Sequence, residues 1–182
     1  PQRELSDVWS RLMMPLNLGA LATMKHFGAD LLKDHRGDFP PEYLRWIEIG
    51  QRLSLDDLGR DQWVRSTVFD AFQNVFSRYD LIVTPTLAAM PVENRSDGNT
   101  LGPASVNGEE VDPLIGWCLT YPVNFTGHPA ASIPAGLVGG LPVGMQIIGR
   151  RLADADVFAA SAAFERLRPW ADSYRRCAAR PL

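Results

Sequence analysis

The sequence predicts an α/β fold, and three observations carry that expectation. Val64, Val68, Phe72, Val75 and Tyr79 form one apolar stripe at helical spacing, with Arg65, Asp70, Gln73, Asn74 and Arg78 mostly on other faces. Three short runs, 81–84, 130–135 and 143–148, have strand character and lie beside Gly or Pro. Helical and strand patterns alternate along the chain. The 182 residues are 46% hydrophobic, enough for one domain whose core stands without disulfides or metals. Eighteen basic and 21 acidic residues give a net charge of −3, and no basic block is present to release counterions from a nucleic acid. No apolar run reaches the roughly 18 residues that a membrane span requires. The first residues, Pro1, Gln2, Arg3 and Glu4, carry neither signal-peptide regions nor an initiator Met, which suggests a fragment.

From the N-terminus, Leu5, Val8, Trp9, Leu12 and Met13 recur at helical spacing until Pro15, which is expected to break the run. Leu18, Leu21, Ala22, Met24 and Lys25 resume it and lead into a polar stretch, 33–38, that reads as a loop. After Pro40 and Pro41, the spacing of Tyr43, Leu44, Ile47 and Ile49 predicts a short helix over 42–51. Ser54 with Asp57 three places on is a weaker form of the capping box, opening the long helix that Tyr79 and Asp80 close. Residues 81–84 read as a buried strand stopped by Pro85. The polar stretch from Thr86 to Glu110 reads as a loop of about 25 residues, which fits either an active-site border or a surface excursion.

Asp112 and Pro113 are expected to start a helix over 114–119 that Pro122 ends, with Leu114, Trp117 and Tyr121 on one face. Gly139 and Gly140 suit a hairpin between the last two strand runs, which puts Pro134 and Pro142 at strand ends or non-bonding edges. Asp154 or Asp156 caps a final helix in which Val157, Ala160, Phe164 and Leu167 repeat before Pro169.

The chemistry-bearing residues form no self-contained catalytic constellation. The chain has no Gly-x-Ser-x-Gly turn. Ser132 follows His128 by four residues, but Pro129 intervenes and the apolar run around Ser132 reads as buried filler. His128 itself reads as a turn or packing residue. His26 and His35 have no partner at metal-ligand spacing, so no metal is expected. Gly136, Gly139, Gly140 and Gly144 join two strands, whereas a dinucleotide fingerprint joins a strand to a helix. Cys118 has nothing nearby to lower its pKa, and with Cys177 it reads as one of two free thiols in a reducing, cytoplasmic interior. Asp56 with Asp57, and Glu109 with Glu110, read as solvated surface. Arginine stays protonated, so Lys25 and Lys33 are the two candidates for any neutral lysine base.

Spaced blocks along the chain point further. YDLIVTPT at 79–86 is followed by LTYPVNFTGHPAASIPA at 119–135, then by GLPVGMQIIG at 140–149 and the helix near Phe164 and Glu165; YLRWIEIG at 43–50 precedes them. The series resembles the C-terminal part of the amidase signature family, which includes aliphatic and aryl amidases, fatty-acid amide hydrolases and the A subunit of glutamyl-tRNA amidotransferase. The resemblance implies a mixed β-sheet flanked by helices. It also implies hydrolysis of a carboxamide, without metal or cofactor, by a Ser, cis-Ser, Lys triad that forms an acyl-enzyme.

The family's lysine and its Gly/Ser-rich signature belong to an N-terminal half, and Lys25 and Lys33 match no catalytic block. The resemblance therefore assigns no catalytic residue here. It makes the chain a C-terminal fragment, inactive alone, with a helical lead-in at 1–39, the family match at 40–168 and a tail at 169–182. The implied partners are a small amide substrate and the missing N-terminal part, and a homodimer is left open. In the family, the helix before the Pro-x-Asn block lines the acyl side of the substrate pocket, which by position points to Leu114, Trp117, Thr120 and Tyr121. The tRNA amidotransferase branch usually holds an aspartate where Trp117 stands, to pair with the amino group of glutamine. An indole favours an apolar or aromatic acyl group instead. The alternatives are a non-catalytic binding or assembly protein on the same scaffold, or the tRNA-dependent amidotransferase itself.

Overall fold

A computed structural model describes residues 2–172. Its elements are α1 (Gln2–His26), α2 (Leu31–Asp34), a 3-10 turn (Arg36–Asp38), α3 (Pro41–Gln51), α4 (Leu55–Phe76), β1 (Leu81–Pro85), β2 (Ser105–Val106), β3 (Glu109–Glu110), α5 (Tyr121–Thr126), β4 (Ala130–Val138), β5 (Leu141–Gly149) and α6 (Asp154–Leu167). The architecture is α/β, as the alternation predicts. Cys177 lies outside the described residues, as does the tail from residue 173.

Pro15 does not break the first helix, which runs through it for 25 residues. A proline removes one backbone bond, to the carbonyl four residues earlier. Packing offsets that loss here: Val8 is 1% and Met14 2% exposed, and Gly50 of α3 approaches Met14 so closely that a Cβ would lie 2.6 Å from the Met14 Cβ. The stretch expected as a loop, 33–38, is instead the end of α2 and the 3-10 turn, begun by Asp30, whose carboxylate accepts from the Lys33 N–H.

The capping box at Ser54 is complete, with Ser54 Oγ accepting from the Asp57 N–H and Asp57 Oδ2 accepting from the Ser54 N–H, both at 3.1 Å. The helix ends at Phe76, short of the expected Tyr79, which is exposed. Its apolar stripe serves two clusters. Val64 and Val68 pack against Val8, Tyr121 and Phe125, while Phe72 and Phe76 turn to Val123, Ile82 and Ile148. One ion pair ties α1 to α4: Arg11 Nε and Nη2 donate to the two Asp61 carboxylate oxygens at 2.7 Å each, and Asp61 is 1% exposed.

The sheet is antiparallel in the order β1, β5, β4, with Ile82 opposite Ile148 and Ala131 opposite Ile147. Alternation sends Ile133 and Ile147 to α6, where Val157 meets them, and Ile148 to the α4 and α5 side. β1 is an edge strand, so the expectation of a buried strand is corrected: Val83 is 56% exposed. Gly139 and Gly140, at φ +58° and +80°, supply the hairpin turn between β4 and β5. Pro134 sits at a register irregularity of the edge strand β4, where a missing donor is tolerated.

Four further expectations are corrected. The segment 114–119 is a series of turns, because it bonds to the chain after β1: Ala88 N–H donates to the Trp117 carbonyl at 2.9 Å and Leu119 N–H to the Thr86 carbonyl at 3.1 Å. Pro122 opens α5 rather than ending a helix. The long loop contains a short ribbon, β2 with β3, turned by Asn107 and Gly108. In α6 the N-cap is Ala153, and Asp154 and Asp156 lie in the first turn, where their charge favours the helix dipole.

His128 joins the layers. It is 6% exposed and stacks on Phe76 at 5.0 Å and Phe72 at 5.5 Å, and its Nε2 lies 3.2 Å from Gln73 Nε2. Its Nδ1 is buried with no hydrogen-bond partner among the described residues. Burial, helped by Arg151, holds its pKa below the ordinary histidine value.

Two tests follow from this packing. Removing the Arg11 charge leaves Asp61 buried and unpaired, so Arg11→Met is expected to lower the unfolding free energy in urea by about 3 kcal/mol, most of it recovered on adding Asp61→Leu. Because the folded state keeps His128 neutral, the unfolded chain binds the extra proton. Stability is therefore full above about pH 6.5 and falls as pH drops through the depressed folded pKa. His128→Phe should remove that part of the pH profile of the denaturation midpoint.

Candidate functional site

The sheet face turned towards α4 and α5 carries a polar row. Gln146 is the register partner of Thr84 on one side and of Ser132 on the other. Beyond β1, Thr86 Oγ1 lies 2.7 Å from Ser132 Oγ. Gly144 leaves room for that pair: a Cβ there would meet Thr86 Oγ1 at 2.6 Å and Ser132 Oγ at 2.9 Å. Ser132 is exposed, which corrects its reading as buried filler. A cleft of about 780 Å³ opens beside the pair, bordered by Val83, Thr86, Met90, Ser132, Ala135 and Met145. Its walls are mainly apolar, with the two hydroxyls as polar points, the composition expected of a small-molecule surface.

Next to this row lies the segment 113–120. Asp112 Oδ1 accepts from the Leu114 N–H at 2.8 Å and shapes the first turn. Trp117 Nε1 donates to the Pro113 carbonyl at 3.1 Å, and the indole lies against Gly102 of the long loop so closely that a Cβ there would collide with it. Leu114, Trp117 and Thr120 are half-buried in this segment. Tyr121 points elsewhere: it is 1% exposed and packs with Val8, Trp9 and Phe125, its ring 6.1 Å from that of Trp9. Burial pushes its phenol pKa up. Three of the four residues singled out from sequence thus share one run of turns, and the fourth lies in the core behind it.

The two lysines, Ser132 and His128 bond to partners other than one another. Lys25 is exposed and paired with Asp30 at 2.7 Å, which raises its pKa and keeps it charged. Lys33 is 4.0 Å from Asp34. Burial raises the Cys118 thiol pKa, which disfavours the reactive thiolate. Ser132 has Thr86 as its hydroxyl partner, and His128 faces Gln73 and phenylalanines. Among the described residues no three His, Cys, Asp or Glu side chains gather to hold a metal. No described helix is long and apolar enough to cross a membrane.

Thr84, Thr86 and Gln146 were not singled out from sequence. The available signal was a lone glutamine inside the apolar run VGMQIIG, since a buried amide demands partners.

Comparison with known proteins places this geometry. A solved bacterial aryl acylamidase of the amidase signature enzymes is 50% identical, superposes with a TM-score of 0.95 over 100% of this chain, and has 37% of its own length covered. The acylamidase of Rhodococcus erythropolis is 35% identical over 147 residues, 79% of this chain and 30% of that protein. The A subunit of the glutamyl-tRNA(Gln) amidotransferase from Streptococcus pyogenes serotype M12 is 41% identical over 102 residues, 56% of this chain and 19% of that protein. The chain thus spans between 19% and 37% of the length of these relatives. The family model described as Amidase matches residues 12–158, and the chain belongs to the amidase family.

Proposed function

We propose that this chain is the C-terminal part of an amidohydrolase. The whole enzyme would cleave a carboxamide to a carboxylate and ammonia or an amine. The observation that carries the reading is the match of the chain over its whole length to an aryl acylamidase. The chemistry belongs to residues outside the chain: a serine hydroxyl, deprotonated by a neutral lysine through the cis-Ser, attacks the amide carbonyl. The tetrahedral intermediate collapses as the amine takes a proton and leaves, and water then cleaves the acyl-enzyme. Both lysines are ion-paired with aspartates, and Ser132 and His128 bond to Thr86 and Gln73 rather than to a lysine, which supports placing the triad elsewhere.

The contribution of this chain is the acyl side of the substrate pocket. Leu114, Trp117 and Thr120 border it, and Tyr121 backs them from the core. Residues 12–158, which the family model matches, would be part of one domain completed by the N-terminal part. The Trp117 indole offers one N–H, already given to the Pro113 carbonyl, and no carboxylate for the amino group of glutamine. That favours an apolar or aromatic acyl group and speaks against a tRNA-dependent amidotransferase.

The segment alone is expected to release no 4-nitroaniline from 4-nitroacetanilide above the buffer rate, whereas the enzyme containing the segment and the lysine-bearing N-terminal part turns it over. In that enzyme, Trp117→Asp should lower kcat/KM for aryl acyl amides by about tenfold or more while sparing small aliphatic ones. Unchanged specificity constants across both classes would remove Trp117 from the pocket.

A further inference from the structure

Gln146 lies near the middle of the central strand, 3% exposed, between Met145 and Ile147. A buried primary amide is costly unless its N–H groups are bonded. Nε2 donates to Thr84 Oγ1 and to the Leu119 carbonyl, each at 3.0 Å. Thr84 passes the chain on by donating to the Pro85 carbonyl at 3.0 Å. The first of the two amide bonds stays within the sheet, joining register partners of β1 and β5. The second leaves the sheet for the segment that leads from the turns into α5.

Sheet stability accounts for the first bond but gives no reason for the second. A β-branched apolar side chain would suit a buried strand position at least as well as an amide. What the amide adds is a grip on Leu119, two residues after Trp117 and one before Thr120. Leu119 is also held at its N–H by the Thr86 carbonyl, at 3.1 Å, and the Trp117 carbonyl accepts from Ala88 at 2.9 Å. With both its N–H and its C=O bonded, Leu119 has both flanking peptide planes held, which directs Thr120, and together with the Ala88 bond to the Trp117 carbonyl they hold the stretch that carries Trp117.

We infer that Gln146 is a positioning residue for the acyl-side wall: through the Leu119 carbonyl it sets the orientation of the segment carrying Trp117 and Thr120, and so the acyl preference, without touching substrate. The inference rests on the assignment of Trp117 and Thr120 to the pocket. It predicts a separation between the two bonds of one amide. Loss of the Thr84 bond weakens the sheet, and loss of the Leu119 bond changes selectivity.

The test uses the full-length enzyme and two probes, the 4-nitroanilides of acetic and benzoic acid. Gln146→Met is expected to change the ratio of their kcat/KM values by about 3- to 10-fold, the range that one ordinary hydrogen bond transmits, through KM with kcat on the acetyl probe retained. Thr84→Val should lower Tm and leave that ratio within about twofold. Gln146→Glu keeps the shape and provides a second route should Gln146→Met not fold. Its carboxyl donates an O–H to Leu119 only while protonated, so its ratio is expected to return towards wild type as pH falls. The ratio change of Gln146→Met should shrink in a Trp117→Ala background.

If the Gln146 variants lower both probes equally, or lower Tm alone, while Trp117→Ala still shifts the ratio, the positioning role is overturned and the pocket assignment stands. If neither Gln146 nor Trp117 variants shift the ratio, the pocket assignment fails and the inference fails with it.

Discussion

β5 has a hydrogen-bonded strand on each side and a helical layer on each face, and the rest of the molecule is arranged around that enclosure. Gln146, Ile147, Ile148 and Gly149 are all buried, so each successive side chain must find its own partner. Ile147 meets Val157 of α6, and Ile148 meets Phe76 and Val123 from α4 and α5. Apolar partners satisfy both isoleucines, but Gln146 between Met145 and Ile147 needs acceptors, and it takes them from β1 and from the segment before α5. One buried strand thereby fixes the helical layers and the proposed pocket wall together.

The helical side depends on a different kind of constraint. α1 meets α4 through the Arg11 and Asp61 pair and through the cluster of Val8, Tyr121 and Phe125. Tyr121 thus belongs to the helical core while Trp117, four residues earlier, belongs to the loop face. The chain turns from surface to core within that interval, and the grip on Leu119 lies inside it. Packing on one side and hydrogen bonding on the other hold the same short stretch.

How far the sequence could be read depended on whether the deciding interaction was local. The capping box at Ser54 and the Gly139 and Gly140 hairpin need only their neighbours, and both form as expected. The helix expected over 114–119 fails because bonds to Thr86 and Ala88, some 30 residues away, compete with helical ones. Pro15 misleads for a similar reason, since burial against α3 outweighs one lost backbone bond. In the candidate site, Trp117 stood out by residue type and family position, whereas Gln146 acquires meaning only once Thr84 and Leu119 are seen beside it.

As proposed, this chain shapes an amidase pocket whose nucleophile lies elsewhere in the enzyme. Labelling the full-length enzyme with a fluorophosphonate, followed by peptide mass spectrometry, addresses it most directly, because the probe marks the activated serine itself. A single adduct is expected on a serine outside these 182 residues. An adduct on Ser132, or on any other serine of this chain, would contradict it.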